Sequence, residues 1–292
     1  MRGLPSINLA DLPLPPVLQP ISYEALLADV IAEFKSRWAA LRAANPSLPM
    51  YDVEMLETDP VKIVLESAVY IYMLALARVN DAAKALMLAT TTAGDLDQFA
   101  QDFALTRFDG ESDATFRLRR WLATEGYAAA GPEDAYRFFA LSADASIKEA
   151  MAVKGDGNRV DVILLSRDGN GAVAAEVVSK VHEALSPLKV RPLTDALYTR
   201  SATIVEQNVS VVVEVPYGPD RATVRAKALA NITAYAARRH ALGRALRIDG
   251  IIGAAREGNA IETMTVLAPA SDVDPGPFGA VYVPVVEVAF AP

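Results

Sequence analysis

The stretch from Thr58 to Thr91 constrains this chain more than any other. It reads as one helix of more than thirty residues, starting at Thr58 or Asp59. Pro60 then falls in the first turn, where a missing N–H is harmless. Val61, Val64, Ala68, Ile71, Ala75, Val79, Ala82 and Leu86 recur at helical spacing and form one face. Ile63, Leu65, Val69, Met73, Leu74, Leu76 and Met87 make the other sides apolar as well. A helix apolar nearly all round must be covered on most sides, and its length favours partner subunits over the chain itself. Leu65, Val69, Ile71, Met73, Leu74 and Leu76 are therefore candidate protein-contact residues. Only eleven uncharged residues separate Glu66 from Arg78, whereas a membrane span needs about 20, so no membrane insertion is expected.

With 292 residues, 52% of them hydrophobic and 22% charged, the chain has ample core material for one large or two to three small domains. The net charge of −8 argues against binding a nucleic-acid duplex, which needs a basic face. Local cations at Arg117, Arg119, Arg120, Arg238 and Arg239 read as solvated or salt-bridged helix faces, or as a protein interface. Cysteine is absent, which excludes disulfides and thiolate metal sites. Residues 1–20 carry five prolines with apolar residues between them, an extended arm without a secretory h-region. It would lie on the chain's own surface or dock on a neighbour.

After the arm, Ser22 is a plausible N-cap for a helix over 23–44. Gly94 ends the long helix region, and short helices follow over 95–104, 113–125 (capped by Ser112) and 133–143. From 146 the character changes. Strands at 146–153 and 159–165 are joined by Gly155-Asp156-Gly157-Asn158, a hairpin signal. A helix over 172–186 and strand-like runs at 195–205 and 207–215 come next. Asp220 caps a helix with Val224, Ala228, Ile232 and Tyr235 on its inner face, closed by Gly243. A helix at 248–256, a strand at 261–267, a loop at 268–280 and a final strand at 281–290 complete the chain. The expected class is α+β: a long-helix N-terminal half, then two small mixed α/β domains. The expected division is an arm over 1–20, a helical domain over 21–145, and α+β domains over 146–202 and 203–292.

No constellation carries catalysis. His182 and His240 lack triad partners, and His240 sits at a helix end where a cation is favoured. Asp156-Gly157-Asn158 and Asp168-Gly169-Asn170-Gly171 read as turns, without the ligand series of a calcium loop. Glu54, Glu57 and Asp59 read as acids at a helix N-terminus. No phosphate-binding glycine loop occurs. Catalytic, cofactor and metal sites are expected to be absent.

Five segments point elsewhere. They are Gly94-Asp95-Leu96-Asp97-Gln98-Phe99-Ala100 with Thr106-Arg107; Glu111-Ser112-Asp113-Ala114-Thr115-Phe116-Arg117-Leu118-Arg119; Gly131-Pro132-Glu133-Asp134-Ala135-Tyr136 with Leu141-Ser142-Ala143-Asp144; Val190-Arg191-Pro192-Leu193-Thr194-Asp195; and His240-Ala241-Leu242-Gly243-Arg244. In this order, over roughly 50 to 270, they resemble the baseplate J-like family of contractile phage tails and related particles. The resemblance implies a structural wedge subunit of a tail baseplate, assembled in the bacterial cytoplasm, and no enzyme. It implies a second copy in a different conformation, a second wedge protein in a three-helix bundle, neighbouring wedges, and hub and sheath-proximal proteins as partners. It also implies rearrangement of the ring on sheath contraction. Contacts between wedges would use the C-terminal half, where Arg221, Arg225, Arg238 and Arg239 lie on the outer face of the helix at 220–241. A soluble adaptor or chaperone and a carboxylate-dependent hydrolase are the alternative readings.

Overall fold

The computed structural model describes residues 15–50, 56–127, 131–188, 190–218, 220–258 and 260–291. The architecture is α+β, and the chain gathers into two compact units, 1–107 and 108–292. Most of the arm, and Glu54, lie outside the described residues.

The first unit is helical. α1 (Tyr23–Ala44) starts where Ser22 Oγ accepts from the Ala25 amide at 3.3 Å. α2 (Pro60–Ala85) starts where Asp59 Oδ1 accepts from the Val61 amide at 2.8 Å. Both side chains satisfy amides that an α-helix leaves orphaned. The two helices pack as a hairpin. The chain just after α1 folds back on it: Trp38 Nε1 donates to the Pro49 carbonyl and Arg42 Nε to that of Leu48. Asn80 clamps the described end of the arm to α2, because its side chain both accepts from the Gln19 amide and donates to the Gln19 carbonyl.

α2 is shorter than its sequence suggests. The Thr90 hydroxyl takes the Lys84 carbonyl at 2.8 Å, and the amides of Leu86 and Met87 bond three residues back. The ladder thus closes in a tighter last turn, with the Thr90 hydroxyl on the freed side of the Lys84 carbonyl, although Leu86-Met87-Leu88 would propagate a helix. Gly94 does not terminate it but lies inside α3 (Ala93–Ala100), which leads into a 3-10 turn at Gln101–Phe103.

The second unit opens with α4 (Asp113–Leu122), capped by Ser112, and α5 (Glu133–Ala143). β1 (Ile147–Lys154) and β2 (Arg159–Ser166) form the expected antiparallel hairpin. α6 (Ala175–Leu185) crosses to β3 (Ala196–Ser201), which pairs parallel with β2. α5 packs on β1 and α6. The apolar run at 195–205 is two strands, since the chain leaves the first sheet at Ala202. β4 (Thr203–Glu206) pairs instead with β7 (Gly279–Tyr282). β5 (Val209–Glu214) is the centre of a third sheet, antiparallel to β6 (Thr263–Ala268) and parallel to β8 (Val286–Phe290). The expected final strand at 281–290 is likewise divided, at Pro284, which has no amide for a ladder.

α7 (Arg221–Arg239) and α8 (Ile248–Arg256) cover the third sheet. Val209, Val211 and Val213 are buried there with Ala228, Ile232, Ile251 and Val288, as strand alternation requires. A second cluster joins Ile163 and Leu165 of β2 to Ala202, Leu242 and Ala280.

Two expectations follow from this packing. α5 buries Tyr136, Phe138 and Leu141, each worth about 1.5–3 kcal/mol when covered. We propose that residues 108–292 are the smallest autonomous fragment on this side. That fragment should unfold cooperatively in urea, whereas one beginning at 146 should lose tertiary structure by near-UV circular dichroism. The second expectation concerns Asp144, which closes α5. Its carboxylate accepts from Lys180 Nζ of α6 at 2.8 Å and from the Ser146 hydroxyl and amide at 2.6 and 2.9 Å. The Lys180 and Ser146 bonds hold its pKa down at about 2, against 3.8 ordinarily. A depressed carboxylate pKa stabilises the fold above the unfolded value, and this is lost as pH falls from 3.8 toward about 2. Asp144→Asn should lower stability at neutral pH and flatten the acid limb of a stability–pH curve.

Candidate assembly surfaces

α2 presents one covered and one open side. At about 100° per residue, Leu65, Val69, Met73 and Leu76 share the covered side. Val69 is 1% exposed and the other three are half-buried. On the opposite side Val64, Ile71 and Leu74 are 66%, 67% and 50% exposed, with Ser67, Ala68, Ala75 and Ala82 open between them. The six candidates thus divide. Ile71 and Leu74 lie on the open side, and Leu65, Val69, Met73 and Leu76 on the covered one.

By length and composition alone, α2 is long and apolar enough to cross a membrane. Its charges argue against that use. Any stretch of about 20 residues within α2, the length of a span, contains both Glu66 and Arg78. These sit about 18 Å apart along the axis, too close for both to reach the two faces of a ~30 Å hydrocarbon core. A protein groove, by contrast, needs only the open stripe covered.

The four arginines of α7 also divide. Arg239 turns inward, and its Nε donates to the Ala245 carbonyl at 2.7 Å. Arg221, Arg225 and Arg238 are exposed. The Arg221 guanidinium lies 4.4 Å over the Phe290 ring. Arg221 and Arg225 flank an open groove of about 630 Å³ lined also by Asp220, Ala222, Ala226, Leu229 and Phe290.

Residues weighed for chemistry are engaged otherwise. Glu57 pairs with Lys62, and Asp59 caps α2. The two Asp-Gly-Asn segments are turns with Gly157, Gly169 and Gly171 at positive φ. His182 Nδ1 meets Thr199 Oγ1 at 3.2 Å. His240 is not a surface cation at a helix end. Burial holds its pKa below the usual 6.5, its Nδ1 donates to the Val281 carbonyl at 2.8 Å, and Lys148 Nζ donates to its backbone carbonyl. Among the described residues no group of three or more His, Asp and Glu is placed to hold a metal ion.

The Baseplate J-like N-terminal domain model matches residues 57–108, which contain the whole of α2. Over 285 residues the chain is 30% identical to baseplate protein J of Escherichia phage P2, covering 92% of this chain and 93% of that relative. The chain belongs to the baseplate J family.

In this baseplate J family member, the segments that carry the resemblance are internal corners. Arg107 Nε donates to Asp97 Oδ1 at 2.8 Å and its Nη2 reaches the Ala93 carbonyl, which ties Thr106-Arg107 back to Gly94–Ala100. Arg119 and Glu111 form a two-pronged ion pair at 2.9 and 3.1 Å with side chains 3% and 4% exposed, and Phe108 and Phe116 face the guanidinium. Of the sequence readings of Arg119, the salt bridge is what the structure shows, but it is buried rather than on an exposed helix face; Glu111 eight residues before it was the available signal for the partner.

Two further segments meet each other. Tyr136 donates to Asp195 Oδ2 at 2.5 Å, and Arg191 Nη1 donates to the Asp195 carbonyl at 2.6 Å. Gly131, at φ +61°, lies so close to Pro192 that a Cβ would approach its ring at 2.5 Å. In the last segment Leu242 is buried, and its amide donates to the Glu149 carboxylate at 3.0 Å. These residues build the scaffold, while the open surfaces lie on α2 and α7.

Proposed function

We propose that this chain is a structural wedge subunit of a contractile tail baseplate, with α2 as its principal assembly element. Its family places it among baseplate proteins. The observation that carries the finer reading is the open apolar side of α2, from Val64 through Ile71 and Leu74. An exposed stripe of this kind is rare on a monomeric soluble protein and marks an interaction site. Its 26-residue length suits a bundle with other helices: a second copy of this chain and a helix from a second wedge protein. The basic outer face of α7 suits weaker contacts to neighbouring wedges, since exposed ion pairs are worth only about 0–1 kcal/mol each. Strong bundle contacts beside weaker ring contacts would let a ring open on sheath contraction without dissolving the wedge. Hub and sheath-proximal proteins complete the set of partners in this reading.

Sedimentation velocity of the purified chain tests the bundle. Dimers or larger species are expected at micromolar concentration. A monomer that binds no apolar dye, and no partner wedge protein on co-expression, would overturn the reading.

A further inference from the structure

We propose that the groove between Arg221, Arg225, Leu229 and Phe290 is a docking site for an acidic segment with an apolar anchor side chain, supplied by a protein other than this chain. The proposal deepens the α7 contact of the preceding reading and rests on it. Four observations support it.

The first is charge. α7 carries five cations and no acid, in a chain whose net charge is −8, so the remainder carries −13. Two of the five hydrogen-bond within the chain: Arg239 holds the Ala245 carbonyl and Lys227 the Gly258 carbonyl. The second is the state of Arg221 and Arg225. They stand one helical turn apart, where like charges repel, and neither forms an ion pair among the described residues. Carboxylates from outside would relieve that repulsion.

The third is the floor. Ala222 and Ala226 leave room between Leu229 and Phe290, and all four present apolar surface. Phe290 is further fixed by the Arg221 guanidinium stacked on it. The groove thus offers an apolar floor edged by two cations on one ridge of α7, with the Asp220 carboxylate engaged as the helix cap, which fits an aliphatic or aromatic residue followed by acids on that edge. The fourth concerns the source. A second copy meeting this face across a two-fold axis would set α7 against α7, cation against cation. Charge complementarity therefore excludes a contact of α7 with itself and calls for an acidic segment, for which we commit to another protein as the source.

The chain has no cysteine, so a single Ala226→Cys substitution gives one attachment point for a photo-crosslinker on the groove floor. Labelled chain would be assembled into particles, irradiated, and the attached peptide identified by mass spectrometry. We expect a cross-link to an acidic segment with an apolar residue in another baseplate protein. Its yield should fall about tenfold or more in the background Arg221→Glu/Arg225→Glu, since reversing both charges repels such a segment. Circular dichroism melts of the variants should stay within a few degrees of wild type, because both side chains are exposed and only the stacking of Arg221 on Phe290 is lost. A cross-link to this same chain, to a neutral or basic segment, or an unchanged yield after charge reversal would overturn the proposal. So would particles that contain the labelled chain but show no cross-link. Wild-type chain absent from the particles would instead overturn the baseplate reading on which the proposal rests.

Discussion

Leu74→Glu is expected to abolish wedge assembly while leaving the isolated chain folded. Leu74 is 50% exposed on the open side of α2, so a carboxylate there stays hydrated in the free chain. Surface changes of this kind shift stability by about 0.5 kcal/mol or less. Within a helical bundle the same carboxylate would lose its water with no partner, at a cost of several kcal/mol. Each 1.4 kcal/mol is about tenfold in affinity, so association should weaken by about a hundredfold or more. Val69→Glu is the control. Val69 is 1% exposed, and an acid there should destabilise the first unit itself. Thermal melts together with sedimentation velocity would separate the two variants. If both associate like wild type, the open side of α2 is not the assembly surface.

Arg119→Ala is expected to be among the most destabilising single substitutions in the second unit. It would leave Glu111, with its side chain 4% exposed, buried and without its two guanidinium bonds. Breaking one half of a buried pair costs about 3–5 kcal/mol, a large share of the 5–15 kcal/mol typical of a domain. Phe108 and Phe116 would lose their cationic neighbour as well. Removing both charges should be milder than removing one, because apolar replacement of a buried pair is often near neutral. Urea denaturation of Arg119→Ala, Glu111→Ala and Glu111→Leu/Arg119→Met provides the comparison. Single variants within about 1 kcal/mol of wild type would show that the pair is solvated and of little weight.

Local chemistry made much of the fold legible in the sequence. Ser22, Ser112 and Asp220 all cap the helices they were expected to cap, since a cap needs only its own side chain and an amide three residues on. The β1–β2 hairpin and the buried Val209, Val211 and Val213 follow from turn chemistry and alternation. What escaped depends on contacts distant in sequence or on competition within a segment. Nothing near Ala202 shows that the chain changes sheets there, because β4 finds its partner in β7, about 75 residues on. The end of α2 at Ala85 leaves no mark in Leu86-Met87-Leu88, a favourable helical run that the chain does not use.

The same division holds for the assembly surfaces. Composition shows that α2 must be covered, but the side left open is fixed by tertiary packing. The outer face of α7 is legible from its inner Val224, Ala228 and Ile232. The inward turn of Arg239 is not, because its acceptor lies beyond the end of the helix. The groove floor is also hidden, since Phe290 comes from the last strand, far from Arg221 in sequence.

The central claim is that this baseplate J family chain is built into a tail baseplate as a structural part. Quantitative mass spectrometry of purified, intact particles tests it most directly. The account predicts the chain at a fixed, multiple copy number in every preparation, retained in isolated baseplates and lost from particles when Leu74→Glu replaces the wild type. Its absence from particles, or presence only in trace amounts that vary between preparations, would contradict the account.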